Sequence, residues 1–298
     1  SVIITTQALA TDPLLLVGSR EQKERRLRPM AEGAALGACA ITEPGAGSEV
    51  TAIRTTSAPK DGGYVLNGNK LFITHGGVAK YITVVAYTDK KLAHDGISLF
   101  VVPSDSPGLT IGKKEKKMGI RGSDTRELIF DNCFVPGSNL LGEPGKGFYT
   151  LMKTFNYTRP LVAAQALGIA QGAFDQARKY LGERIQFGKP LAEFQGLQWM
   201  LAEMALKIEL ARTMVYRVCS TVDKDPESKD IKVLASMAKW FSSDTAMETT
   251  TNAVQLLGGY GYSREFPLER MMRDAKITQI YEGTNQVQRM IIARELLK

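Results

Sequence analysis

The spacing of apolar residues changes once along the chain, and this change restricts the fold more than any other feature of the sequence. Before Gly142, short runs of β-branched and aromatic residues alternate with turn-forming residues, which is typical of strands. After Gly147, apolar residues recur every three to four positions, which is typical of amphipathic helices. The glycine-rich segment between these residues therefore marks a domain boundary. We predict an α+β protein in which a β-rich part precedes a helical part.

The β-rich part extends roughly over residues 36–135. Turn residues at 61–63, 67–69 and 105–108 separate its strands, because glycine and asparagine tolerate positive φ and proline presets its own φ. The clearest strands are predicted at 64–66, 70–74, 81–85, 97–102 and 127–130. This spacing predicts an antiparallel barrel or sandwich.

The helical part contains one long apolar stripe with alternating spacings of three and four residues. The stripe consists of Phe194, Leu197, Leu201, Met204, Ile208, Ala211, Val215 and Val218. Further helices are predicted near 147–183, 230–257, 267–274 and 285–297. Long helices with short connections imply a bundle. Because no GxGxxG motif follows a predicted strand, a Rossmann nucleotide site finds no support.

Composition excludes some classes of protein. The chain has 298 residues, of which 44% are hydrophobic, so it is long enough to bury a full core. The apolar run at 97–102 is far shorter than the roughly 18 residues that a membrane span needs, and we predict none. Three widely spaced cysteines and only two histidines do not favour a zinc site. The cysteines favour a reducing compartment. We expect the protein to be cytoplasmic if its source is prokaryotic and to lie in the mitochondrial matrix if its source is eukaryotic.

The net charge of +7 raises the question of an anionic partner. The basic residues are scattered, and the only cluster lies at 113–117. A phosphate-rich small molecule accounts for the excess as well as nucleic acid does. Because the sequence has no long basic tail and no aromatic and basic stripe, we do not predict nucleic-acid binding.

A loop at 42–48 and a strand at 70–75 combine small residues, an aromatic ring and hydroxyl groups. At Gly47 little side chain is present, so backbone N–H groups can approach an anion or a planar ring. Phe72 and Thr74 share one face of their strand because side chains alternate. Taken alone, the same residues are more often an ordinary tight loop and a core phenylalanine.

Two later segments suit a phosphate-containing ligand. Arg184 ends a predicted helix and offers a guanidinium that can contact phosphate in a bidentate manner. Gly258 and Gly259 follow another predicted helix and permit close approach of a backbone. A cation that interacts with the helix dipole and a glycine C-cap are the alternative interpretations.

Glu282 is the sharpest local feature, because it precedes Gly283 between two predicted helices. Thr284 is placed to cap the second helix. Glutamate at the start of a helix is often only a partner of the helix dipole. In an apolar pocket, desolvation raises the pKa of a carboxyl toward the range useful for a general base. This fragment alone leaves both interpretations open.

Taken in order, these segments resemble the acyl-CoA dehydrogenase family over about residues 31–298. The resemblance depends on residues 42–48, 72–74, 117–123, 155–160, 184–188, 201–212, 255–261, 272–276 and 281–284. It implies a remnant of an N-terminal helical domain at 1–33, a middle antiparallel β-barrel at 34–141 and a C-terminal four-helix bundle at 142–298. It also implies that the first helices of the family are missing, since the chain begins with Ser1 and residues 1–13 read as the tail of a helix.

The resemblance implies FAD as the cofactor, bound between subunits of a homotetramer that is a dimer of dimers. The expected FAD contacts are Cys39, Ile41, Thr42, Gly47, Ser48, Phe72, Ile73, Thr74, Arg184, Gln186, Phe187, Gln195, Gln255, Leu256, Gly258, Gly259, Thr284, Asn285 and Gln286. The expected acyl-CoA contacts are Ser48, Asn156, Arg159, Tyr281 and Gly283. No metal is expected.

The mechanism that the resemblance implies makes Glu282 the catalytic base. Glu282 would take the α-proton while a hydride leaves the β-carbon for flavin N5, which gives a trans-2-enoyl-CoA. The flavin ribityl hydroxyl and the backbone N–H of Glu282 would polarise the thioester carbonyl. An electron-transfer flavoprotein would then accept the electrons.

Three residues depart from those common in the family. Cys39 replaces an aromatic residue, Asn156 replaces an aspartate, and His75 replaces an asparagine. We expect the first to loosen the pocket near the flavin and the second to change a hydrogen-bond partner of CoA. We assign no consequence to the third.

A second class of function stays open beside the dehydrogenase. The missing helices normally close part of the acyl pocket, so the chain could be a truncated, partner-dependent or non-catalytic flavin-binding subunit of the same fold. Residues 155–160 are similar to those of short- to medium-chain relatives, but branched, aromatic and alicyclic acyl groups remain alternatives.

Overall fold

The computed structural model describes residues 2–298, and Ser1, the first residue of the predicted N-terminal region, lies outside them. The chain divides into two compact units. The first contains the residues up to Lys117 together with Arg121–Phe155, and the second contains Met118–Ile120 and Asn156–Lys298. The predicted three-part division at 1–33, 34–141 and 142–298 stays a prediction.

The first unit begins with helices. Helix α1 (Val2–Val17) is followed by α2 (Arg20–Gln22), a π-helical turn (Lys23–Leu27) and α3 (Arg28–Ala31). The helix predicted to end near residue 13 therefore continues to Val17. The Gln22 side chain donates to the carbonyls of Ser138 and Leu140, which attaches these helices to the sheet below.

Eight strands form one mixed sheet in the first unit. They are β1 (Gly37–Ala40), β2 (Thr56–Lys60), β3 (Gly63–Thr74), β4 (Tyr81–Tyr87), β5 (Ile97–Pro103), β6 (Leu109–Lys114), β7 (Thr125–Pro136) and β8 (Leu140–Leu141). The order is β6-β7-β3-β2-β4-β5-β8, and β1 pairs with β4. The α+β class is confirmed. The expected antiparallel barrel differs in two respects: β1 and β2 pair with β4 in parallel, and no strand pairing among residues 2–298 closes the sheet into a ring.

Strand β3 corrects the prediction of two strands separated by a turn at 67–69. It runs without interruption from Gly63 to Thr74, with irregular register against β7 between Leu66 and Gly68. Gly68 has a φ of 152°, and a Cβ atom there would lie 2.4 Å from the Thr55 Oγ1 atom. The glycine thus permits close approach of the neighbouring chain within a strand, and it does not form a turn.

Both faces of β5 are buried, which explains the continuous apolar run at 97–102. Phe100 and Val102 pack in a cluster on one face of β5 with Leu66 and Leu128. Leu99 packs in the cluster on the other face. Alternate residues of one strand therefore serve two cores.

The second unit is helical. Its elements are α4 (Gly147–Glu183), whose first residues belong to the first unit, β9 (Ile185–Gln186), β10 (Lys189–Pro190), α5 (Gln195–Lys224), α6 (Ile231–Leu257), α7 (Gly259–Tyr262), α8 (Leu268–Ala275) and α9 (Asn285–Leu296). The predicted helices are confirmed with ends that differ by at most about two residues. The apolar stripe lies on α5, where Met204, Ile208, Ala211, Val215 and Val218 are buried.

The tripeptide Met118–Ile120 belongs to the helical unit, because it contacts the helices of that unit. The Ile120 N–H donates to Asp274 Oδ1 at 2.5 Å, and Arg273 donates to the Met118 carbonyl at 2.9 Å. Gly119 lies so close to Arg273 that a Cβ atom would be 2.3 Å from its carbonyl oxygen. Ile120 has a φ of 47°, which is rare for a β-branched residue.

Candidate active site

The loop that carries Glu282 connects a 3-10 turn (Lys276–Gln279) to helix α9. The Thr284 hydroxyl accepts a hydrogen bond from the Val287 N–H at 3.3 Å, so the predicted N-cap is confirmed. Glu282 and Gly283 both have positive φ, 53° and 90°. For glutamate this conformation costs free energy, so it persists only where the surroundings hold it.

Three side chains hold this conformation by donating to two consecutive carbonyls. The Glu282 carbonyl accepts from Arg159 Nε at 3.3 Å and from Gln288 Nε2 at 3.2 Å. The Gly283 carbonyl accepts from the same Gln288 nitrogen at 2.9 Å and from Lys239 Nζ at 2.8 Å. The donors come from α4, α6 and α9, so the loop is fixed to three helices.

The side chains of the loop are oriented by α4. Thr158 Oγ1 donates to Glu282 Oε2 at 2.5 Å, and Thr158 is fully buried. The Tyr281 hydroxyl donates to Gln165 Oε1 at 2.6 Å. Thr158 and Gln165 are seven residues apart, about two helical turns, so they lie on one face of α4. The acidic group of the loop therefore has a fixed orientation.

Two buried cations set the electrostatics of the site. Burial lowers the pKa of Arg159 to about 10 and that of Lys239 to about 7, while the charge of Glu282 opposes both shifts. Because Coulomb interactions are reciprocal, Arg159 favours the ionised carboxylate of Glu282, and Lys239 does so while it is protonated. Burial also raises the pKa of Tyr281, so this phenol stays neutral over the physiological range.

Asn285 was expected to contact the cofactor, but its side chain is 4% exposed and engaged within the unit. Its Oδ1 atom accepts from Lys239 Nζ at 2.9 Å and from Ser243 Oγ at 3.1 Å. Its Nδ2 atom donates to Asp244 Oδ1 at 2.7 Å. The side chain of Asn285 thus supports Lys239, which the sequence did not identify as part of the site.

The site residues predicted in the first unit differ in exposure. Gly47 and Ser48 are exposed, and Ile41, Thr42 and Thr74 are half-buried. Phe72 is 59% exposed and has a φ of 59°. Cys39 and Ile73 are buried.

An unpredicted buried ion pair fixes the loop at 42–48. Lys70 Nζ lies 2.8 Å from Glu43 Oε1 and 3.0 Å from the Ile41 carbonyl, and Lys70 is fully buried. Glu43 also accepts from the N–H groups of Arg54 and Thr55, at 2.6 and 3.0 Å. A lysine within an apolar strand was the available signal, because lysine is almost never fully buried unless it is paired.

His75 has a structural explanation that its sequence context did not provide. Its φ is 63°, its side chain is 3% exposed, and Nδ1 lies 3.0 Å from the Gly37 carbonyl. Histidine and asparagine are both enriched at positive φ, so either residue suits this position.

The predicted residues of the second unit lie mainly on its surface. Phe187 is 94% exposed at the turn between β9 and β10, and Arg184, Gln186, Gln195, Gln255 and Gln286 are exposed. Gly258 and Gly259 are exposed, whereas Leu256 is 5% exposed and belongs to the core. Asn156 is half-buried and Arg159 is 5% exposed. The structure brings Arg159, Tyr281, Glu282, Gly283 and Asn285 into the hydrogen-bonded cluster of the loop.

Residues 2–298 contain no cluster of metal-binding side chains and no helix suited to spanning a membrane. No group of three or more His, Cys, Asp or Glu side chains in this range is arranged to hold a metal ion. None of the described helices is long and apolar enough to cross a membrane.

Comparisons with family models match most of the chain. A model described as the acyl-CoA dehydrogenase middle domain matches residues 38–133. A model described as the acyl-CoA dehydrogenase C-terminal domain matches residues 145–297.

Named relatives are similar over the whole chain. The cyclohexane-1-carbonyl-CoA dehydrogenase of Geobacter metallireducens is 51% identical over 298 residues, which are 100% of this chain and 77% of that protein. The structure of butyryl-CoA dehydrogenase from Megasphaera elsdenii superposes with a TM-score of 0.97 at 47% identity and covers 100% of this chain and 77% of that one. A chain from a structural study of the electron transferring flavoprotein of Acidaminococcus fermentans gives a TM-score of 0.97 at 49% identity, with coverage of 100% and 78%.

Proposed function

The chain belongs to the acyl-CoA dehydrogenase family, and we propose that Glu282 is the base with which it removes the α-proton of an acyl-CoA. The observation that supports this role most directly is the environment of the carboxylate. Thr158 donates to it, and the buried Arg159 and the protonated form of Lys239 favour its ionised form. An oriented, ionised carboxylate is the state that a general base needs before it accepts a proton.

FAD is the cofactor of this family, and the residues present fit it. Phe72 presents a largely exposed ring, and a Cβ atom built at Gly47, Gly258 or Gly259 would meet no atom within 4 Å. These glycines therefore leave open space for a ligand beside the backbone. When bound, FAD accepts the hydride that leaves the β-carbon of the substrate.

We propose that the expected FAD contacts act through two kinds of group. Exposed side chains such as Phe72, Arg184 and Phe187 would contact FAD directly. Cys39, Ile73, Leu256 and Asn285 have buried side chains, so they would contribute backbone groups. For the acyl-CoA, Ser48 and Asn156 remain the proposed side-chain contacts.

The chain must also acidify the α-proton, because a free carboxylate is too weak a base for a thioester. We propose that the backbone N–H of Glu282 donates to the thioester carbonyl, where negative charge develops during proton removal. The positive φ of Glu282 sets the orientation of this N–H group relative to the side chain and the carbonyl of the same residue. Arg159 stabilises that conformation through the Glu282 carbonyl.

The substrate and the electron acceptor are finer parts of the proposal. The relatives are named for butyryl and cyclohexane-1-carbonyl thioesters, so we propose an acyl group that is short or alicyclic. The structural relationship to a chain studied with an electron transferring flavoprotein supports such a protein as the electron acceptor. We further propose a homotetramer.

The decisive experiment is anaerobic reduction of the purified, FAD-loaded protein by butyryl-CoA, octanoyl-CoA and cyclohexane-1-carbonyl-CoA. We expect bleaching of the flavin absorbance by at least one of these thioesters. Glu282→Gln should retain the flavin and lower the bleaching rate by about 10²–10⁴-fold, because it removes the base without changing its size. Glu248→Gln, at an exposed ion pair with Lys207, should bleach at the wild-type rate.

The alternative, a non-catalytic flavin-binding subunit, makes the opposite prediction. A protein that holds FAD but is not bleached by any thioester would refute the proposed function. If Glu282→Gln is bleached at the wild-type rate, the dehydrogenase activity is retained and the base must be another residue.

A further inference from the structure

Lys239 is the most deeply buried charged group near the proposed base. It lies in α6, is fully buried, and places Nζ 2.8 Å from the Gly283 carbonyl and 2.9 Å from Asn285 Oδ1. Desolvating an ammonium is expensive, so a lysine persists at such a position only when its partners compensate. The partners here belong to the loop of Glu282 and to the first residue of α9.

The contact with Gly283 acts on a strained part of the backbone. Glu282 and Gly283 occupy the left-handed region consecutively, and four hydrogen bonds to their two carbonyls oppose a return to ordinary φ. The bond from Lys239 is the shortest of the four, and hydrogen bonds from a charged donor are about twice as strong as neutral ones. Lys239 therefore contributes a large share of the restraint.

The surroundings of Lys239 also hold it in place. Its other acceptor, Asn285, is fixed by Asp244 Oδ1, and Asp244 in turn accepts from Gln279 Nε2 at 2.6 Å and from Trp240 Nε1 at 2.8 Å. The charged groups that face Lys239 are Glu282 from the loop, Arg159 from α4 and Asp244 from its own helix. The ammonium is thus attached to a rigid network on one side and to the loop on the other.

We propose that Lys239 is a positioning residue, whose ammonium holds the Glu282–Gly283 backbone in the left-handed conformation and so aims the Glu282 carboxylate at the substrate. This inference rests on the proposed function of Glu282 as the base. Lys239 does not take part in the reaction itself, but it increases the rate of α-proton removal.

The test uses Lys239→Met, which is unbranched and only one heavy atom shorter than lysine and removes both the charge and the donor. We expect its anaerobic flavin reduction by the best thioester to be about 10–100-fold slower, with less than a threefold change in the thioester concentration for half-maximal rate. The acid limb of the pH profile of this rate should move to higher pH, because the carboxylate loses a neighbouring positive charge.

A readout independent of turnover is hydrogen exchange of the FAD-loaded protein, followed by mass spectrometry of peptides that cover residues 280–288. Lys239→Met should exchange at least tenfold faster in this segment than the wild type. Lys239→Gln, which keeps an N–H donor group and loses the charge, should exchange at a rate between those of Lys239→Met and the wild type. Lys232→Met, on the same helix at a surface ion pair with Glu295, should match the wild type in rate and exchange.

Several outcomes would overturn the inference. One is a folded Lys239→Met protein with the bleaching rate and the hydrogen exchange of the wild type. Another is faster exchange spread evenly over the molecule, because it would indicate a merely structural role. If Lys239→Met does not fold, Lys239→Gln is compared with the wild type. Equal rates of flavin reduction in these two proteins would refute the positioning role of Lys239. If the wild type is not bleached at all, the proposed function fails, while the exchange experiment still tests the contact of Lys239 with the loop.

Discussion

At the scale of single residues, the pair of Lys70 and Glu43 makes a prediction about pH. Burial lowers the pKa of Lys70 to about 8, against the opposing charge of Glu43, whereas an unfolded lysine titrates near 10.5. Between these two pH values the unfolded chain keeps a proton that the folded chain has released. The contribution of Lys70 to the free energy of unfolding is therefore constant below pH 8 and becomes more favourable as the pH rises toward 10.5.

Denaturant titrations of the wild type and Lys70→Met from pH 7 to pH 10 measure this contribution. Lys70→Met should be less stable by about 3–5 kcal/mol at pH 7, because Glu43 loses its buried partner. The difference in stability should widen above pH 8. Lys80→Met, at an exposed lysine, serves as the control, and a difference that narrows with pH would contradict the prediction.

At the scale of elements, Gly68 decides whether β3 can remain one strand. A Cβ atom there would lie 2.7 Å from the Thr55 Cα atom, which belongs to the backbone and cannot move away cheaply. We expect Gly68→Ala to lower the free energy of unfolding by about 1–3 kcal/mol. Gly182→Ala, in α4 where a Cβ atom meets nothing within 4 Å, should be neutral or stabilising by up to about 1 kcal/mol. Thermal or urea denaturation of both variants checks this contrast.

The same scale shows why parts of the molecule were predictable from sequence. Helix α4 was predicted at its observed bounds because its hydrophobic period is long and ends at glycine-rich and polar segments. Strand β3 was divided wrongly because Asn67 and Gly68 have the composition of a turn, whereas their role depends on Thr55, a contact that the local sequence does not display.

The candidate site was predictable only in part for a similar reason. Glu282 was identified because Gly283 and the capping Thr284 flank it directly. Thr158, which donates to Glu282, is 124 residues away from it in the chain. Lys239, which donates to the Gly283 carbonyl, is 44 residues away from Gly283. Such partners become visible only when the helices are packed, so the sequence identified the acid but not the groups that orient it.

At the scale of the whole molecule, the proposed homotetramer and the proposed FAD contact of Phe187 make a joint prediction. Phe187 is 94% exposed, so its ring is accessible to a ligand or to a second copy of the chain. We expect Phe187→Ser to shift the mass measured by light scattering from a tetramer to a smaller species and to lower the FAD content of the purified protein. Leu92→Ser, at another exposed apolar side chain, should change neither. An unchanged mass in Phe187→Ser would remove this residue from the proposed interface.

The grouping of Met118–Ile120 with the helices has a consequence for the inheritance of this architecture. A gene segment that encodes only residues 156–298 lacks the tripeptide whose backbone bonds to Arg273 and Asp274. Recombination at a single junction would therefore transfer the helical unit without the tripeptide Met118–Ile120. Exchange between related genes should preserve the helices only when the donor supplies both stretches or when the recipient already carries a matching tripeptide.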